Sequence, residues 1–95
     1  MFIVSIETAD PCFFLRKKTF SNHIPREGES LWFRSYSNVQ WILVTVKDVE
    51  HWFVDGECLV NVIAEQDEFA NEDDNLMNVG FVLTDAVPPR FASSN

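Results

Sequence analysis

Positive charge, glycine, histidine and cysteine are all scarce in this chain of 95 residues. Seven Lys and Arg stand against 15 Asp and Glu, a formal net charge of −8. Sequence-independent binding to DNA, RNA or anionic lipid takes its affinity from basic side chains that neutralise phosphates, so neither direct nucleic-acid binding nor a membrane surface is expected. The three glycines, Gly28, Gly56 and Gly80, stand alone, and none belongs to a loop that cradles phosphates. His23, His51, Cys12 and Cys58 are dispersed, without CxxC or zinc-ligand spacing. Two cysteines do not build a disulfide-dense secreted domain. Their apolar neighbours (Phe13 and Phe14, Leu59 and Val60) predict buried, unreactive thiols in a reducing compartment. Asn-x-Ser/Thr is absent. No apolar run approaches the ~20 residues of a membrane span. The apolar segment 1–6 has no basic leader and is followed by Glu7 and Asp10, unlike a signal peptide. A cytoplasmic location is the expectation.

Apolar side chains are plentiful, at 46%, and aromatics make up 14%, which excludes intrinsic disorder. The length suits one domain. We expect a single β domain over 1–87 and a tail over 88–95, beginning at Pro88-Pro89. Strand composition dominates. Residues 2–6 read as a first strand, Asp10-Pro11 as a turn and 12–20 as a second strand. Pro25 and Gly28 break the chain before an aromatic-rich strand over 30–36, and Ser37-Asn38 reads as a turn. The run 39–53 places Ile42, Val44 and Val46 on one face and Trp41, Leu43 and Thr45 on the other. Two apolar faces predict a strand covered twice, or one face lying at a subunit contact. Its length far exceeds the usual ~5–6 residues of a strand, so a bend or bulge is expected near Lys47-Asp48. Asp55-Gly56 is a hairpin turn, 57–65 the returning strand, 66–75 a loop with room for a helical turn, and 76–84 the last strand. The fold expected is all-β: a small five- to six-stranded SH3-like or related half-open barrel.

Three stretches carry a likeness: Ile24-Pro25-Arg26-Glu27-Gly28-Glu29, Val46-Lys47-Asp48-Val49-Glu50-His51 and Leu59-Val60-Asn61-Val62. They resemble small bacterial and phage β-barrel proteins of unknown function, in which a P-R-x-G-E turn opens a strand. A V-x-x-V-x-H strand and an alternating V-x-V strand then form a hairpin. The resemblance spans residues 24–65; it implies a small barrel and no activity, catalytic residue or ligand.

Acid is concentrated in the second part of the chain. Glu65, Asp67, Glu68, Glu72, Asp73 and Asp74 fall within ten residues. They lack the D-x-D-x-D-G register that wraps calcium, so no metal site is expected. The cluster reads as a solvated loop or as an electrostatic handle for a basic, nucleic-acid-binding protein. Cys58 and His51 share a predicted hairpin, but His51 reads as a partly exposed strand residue beside Trp52. Neither a catalytic residue nor a cofactor is expected.

The aromatic doublets Phe13-Phe14, Trp32-Phe33 and Trp52-Phe53 are the most informative feature. Consecutive strand residues point to opposite faces, so one ring of each doublet faces outward unless the chain bends. Trp41 is a further candidate for the surface. A contiguous exposed aromatic patch marks a contact surface. The expected partner-binding residues are therefore Trp32, Phe33, Trp52, Phe53, Glu68, Glu72, Asp73 and Asp74. The expected function is a non-enzymatic, acidic protein–protein interaction module, a homodimer of the kind that would serve as a phage-encoded inhibitor of a host defence or nucleic-acid enzyme. The alternative is a small-molecule-binding or enzymatic barrel with an aromatic pocket and His51 or Cys58 at its mouth.

Overall fold

The computed structural model describes residues 1–34, 41–66 and 76–85. Six strands, β1 (Phe2–Glu7), β2 (Phe13–Thr19), β3 (Ser30–Phe33), β4 (Ile42–Val54), β5 (Glu57–Gln66) and β6 (Val82–Asp85), form one mixed sheet in the order β3-β4-β5-β1-β2-β6. Neighbours are antiparallel except β1 and β5, which run parallel with Val4 beside Val62. The protein is all-β, as the strand patterning predicts. Its sheet is not closed into a barrel.

The sheet curls so that one face, here called inner, becomes the core. Phe2, Val4 and Ile6 of β1, Ile42, Val44 and Val46 of β4, and Val60, Val62 and Ala64 of β5 pack there as one buried cluster. Leu76, Val79 and Phe81 lie against them. The curl brings the two edges together through side chains: Phe33, at the end of β3, meets Phe81, just before β6, edge-to-face at 5.2 Å and 81°. Such perpendicular ring pairs add about 0.5–1.5 kcal/mol beyond the area they bury. Two rings thus bridge a seam that backbone hydrogen bonds leave open.

Turns follow their residues. Asp10 caps the β1–β2 connection, its backbone oxygen accepting the Phe13 N–H at 3.1 Å and its carboxylate the Cys12 N–H at 2.9 Å. Gly28, with φ of 89°, closes a turn in which Glu29 donates its N–H to the Arg26 oxygen at 3.1 Å. The Asp55-Gly56 loop has φ of 50° and 83°, the double left-handed conformation of a two-residue hairpin whose twist matches its strands.

The expected bulge lies where the length of β4 requires it, between Val46 and Asp48. Val46 pairs with Ala64 and Asp48 with Ile63, so Lys47 is the extra residue. This reverses the parity of the strand. Even-numbered residues face inward before Lys47, and odd-numbered ones (Val49, His51, Phe53) share the inner face after it, opposite Val62, Val60 and Cys58.

One element differs from the sequence reading. The stretch 76–84 is not all strand: Leu76–Val79 is a 3-10 turn and β6 starts only at Val82. A 3-10 turn stacks residues three apart, which buries Leu76 and Val79 together. The regions read as the Ser37-Asn38 turn, the 67–75 acidic stretch and the 88–95 tail lie outside the described residues.

Candidate functional site

The bulge divides β4 into two unlike halves. Residues 42–46 are flanked by β3 and β5. Beyond Val46, whose backbone pairs with Glu29 and Gly28, β4 keeps only β5 as a strand neighbour among the described residues. Residues 48–60 thus form a hairpin arm that outreaches β3. The arm carries Asp48, Glu50, Asp55 and Glu57 with no lysine or arginine. Its tip exposes Phe53 (76%) and Val54.

At the other end of β4, the outer face forms an aromatic corner. Trp32 pairs with Leu43, and both point outward because Leu31 and Phe33 pack against the core. Trp32 is 58% exposed and Trp41, one residue before β4, is 52% exposed. The Arg34 guanidinium lies over the Trp41 ring, 4.8 Å from its centroid. A guanidinium stacked in this way adds a flat cationic rim to the aromatic surface.

The four aromatic residues expected at a partner surface therefore do not form one patch. Trp32 and Phe33 sit on β3, and Trp52 and Phe53 near the arm's tip. Leu43 and Phe53 are ten residues apart along β4, which is roughly 30 Å at strand rise. Only one member of each pair is strongly exposed. Phe33 is half-buried in the Phe81 seam. Trp52 is half-buried, with its indole N–H on Glu50 Oε1 at 3.2 Å. Glu68, Glu72, Asp73 and Asp74 lie outside the described residues.

Between the two ends, the outer face carries a transverse polar strip. Glu50 Oε1 also accepts the Asn61 Nδ2–H at 3.1 Å, and Asn61 Oδ1 accepts the Ser5 hydroxyl at 2.5 Å. Ser5 Oγ accepts the Arg16 Nε–H at 2.9 Å. Arg16 Nη1 donates to Thr84 Oγ1 at 3.0 Å and to the Asp85 oxygen at 2.6 Å. Ser5 and Asn61 are buried. Desolvation by burial holds the Arg16 guanidinium below the usual arginine range, offset in part by the negative charge of Glu50. The strip links β4, β5, β1, β2 and β6, residues whose positions in the chain give no hint that they meet.

Both cysteines are free and exposed, against the expectation of buried thiols. Apolar neighbours mislead here because Cys58 lies on the arm past the end of the core, and Cys12 in the Asp10 turn. His51 Nδ1 is 3.8 Å from Cys58 Sγ, since the two are diagonal neighbours across the β4–β5 ladder. A groove of about 460 Å³ lies on the His51 side of the pair, between the 24–27 turn and Asp48, Val49 and His51. Another of about 470 Å³ opens between Ile6, Leu15, Ala64 and Leu76. Neither groove is lined by Phe, Tyr or Trp. Among the described residues no cluster of three or more His, Cys, Asp or Glu is arranged to hold a metal ion. No helix among them is long and apolar enough to cross a membrane.

No protein-family model matches the chain, and no curated protein or solved structure matches it either.

Proposed function

We propose that this chain is a non-enzymatic protein–protein interaction module that pairs with a second copy of itself through the aromatic corner. The observation that carries this reading is the joint exposure of Trp32 and Trp41 at one end of the β3 edge, with Arg34 stacked on Trp41. Large rings left in water in one place are uncommon on a monomer, and tryptophan and arginine dominate the residues that anchor interfaces. β3 is an edge strand of only four residues, with one side unpaired by any strand among the described residues. A two-fold axis beside such an edge presents the same corner from each copy and shelters all four tryptophan rings.

The rest of the surface then remains for a second kind of partner. The arm is acidic and tipped by Phe53, a charge pattern that attracts a basic protein and gives it one apolar anchor. An inhibitor that covers the phosphate-binding site of a nucleic-acid enzyme has this character, and the net charge of −8 supports that form of the reading.

Sedimentation velocity tests the pairing. The wild-type chain is expected to sediment as a dimer and the Trp32→Ala/Trp41→Ala variant as a monomer. Phe20→Ala, which removes an 81% exposed ring elsewhere, is expected to remain a dimer. A wild-type chain that stays monomeric, or a double variant that still pairs, overturns the reading.

A further inference from the structure

We propose that Cys58 is a modification site, a thiol that enters a mixed disulfide with low-molecular-weight disulfides of the glutathione class while His51 takes its proton. The site lies on the arm, away from the aromatic corner, and does not depend on whether the chain pairs.

The nucleophile in thiol–disulfide exchange is the thiolate, so a reactive cysteine needs an accessible sulfur and a place for its proton. Cys58 has both. Its Sγ is exposed and stands 3.8 Å from His51 Nδ1. The pairing is built into the ladder: Phe53 opposes Cys58 and Val60 opposes His51, which sets the two side chains on one face. The bulge at Lys47 is what turns His51 to that face; uninterrupted alternation from Val46 would have turned it away. Cys58 lies near the start of β5 and is exposed, so the sulfur can be approached. The groove that His51 lines offers space on the imidazole's side of the pair; its wall carries Arg26 together with Glu27 and Asp48.

The step balances without another reactant. With the neutral imidazole protonated on Nε2, Nδ1 accepts the Cys58 proton as Sγ attacks one sulfur of the disulfide. The Sγ–S bond forms, the disulfide's own S–S bond breaks, and its other half leaves as a thiolate that takes the proton from His51. The reagent's leaving half is reduced and Cys58 is oxidised.

Cys12 is an internal control. It is equally free and exposed, but its neighbour is Asp10, whose carboxylate accepts the Cys12 N–H at 2.9 Å. That hydrogen bond runs through the backbone N–H of Cys12 and gives its sulfur no base to take the proton.

The test uses the native full chain with glutathione disulfide and follows both cysteines by peptide mass spectrometry. Cys58 is expected to be modified roughly tenfold faster than Cys12. His51→Gln is expected to bring the Cys58 rate down to that of Cys12. An unchanged Cys12 rate in that variant reports an intact fold, and unfolding by denaturant should bring the two wild-type rates together. Equal rates in the native wild-type chain, or a lead for Cys58 that survives His51→Gln, overturns the proposal.

Discussion

The two halves of β4 share one backbone and do opposite work. Before Lys47, the strand lies between two neighbours and gives Ile42, Val44 and Val46 to the core, none more than 1% exposed. After Lys47 it has one strand neighbour among the described residues, and its side chains are half-buried or exposed. Hydrophobicity alone does not separate the halves, because Trp52-Phe53-Val54 is as apolar as Ile42-Leu43-Val44. What separates them is the number of strands alongside. Burial belongs to the sheet, so the same residue type is a core element at one end and a surface element at the other.

Substitutions along this strand sharpen the contrast. Ile42→Ala is expected to cost about 2–5 kcal/mol in chemical denaturation, since a fully packed site loses both transfer energy and packing. Asn61→Ala comes next, at about 1–3 kcal/mol, because it leaves the buried Ser5 O–H without its acceptor and removes one of the two donors on Glu50. The Asn61→Ala effect belongs to the junction between the halves, where the polar strip ties the base of the arm to β1 and β2. Phe53→Ala is expected to change stability by no more than about 0.5 kcal/mol, as at other exposed positions. If Phe53→Ala proved as costly as Ile42→Ala, the tip of the arm would be part of the core and the division of β4 at Lys47 would fail.

Much of this arrangement is legible in the residues themselves. The excess length of the 39–53 run foretells the bulge, and Asp55-Gly56 foretells the hairpin, because both follow from local backbone geometry. Which member of Trp52-Phe53 turns inward is not legible. A bulge moves parity by one, and alternation does not say which residue is the extra one. Leu76, Val79 and Phe81 read as a strand because they are apolar, whereas the spacing of three between Leu76 and Val79 fits a 3-10 turn equally well. The polar strip is the least legible feature. Ser5, Arg16, Glu50, Asn61 and Thr84 meet only through the parallel β1–β5 pairing and its register. The candidate surface is half-legible in the same sense: the doublet rule leaves one ring of each pair for the surface, but only the register and the bulge settle that these are Trp32 and Phe53, at opposite ends of β4, and put Arg34 over Trp41.

Hydroxyl-radical footprinting of the native chain, dilute and concentrated, tests the central claim ring by ring. If two copies pair through the aromatic corner, Trp32 and Trp41 lose reactivity as the protein is concentrated, while Phe53 at the far end of β4 stays as reactive as before. Equal labelling of Trp32 and Trp41 at both concentrations would contradict the account.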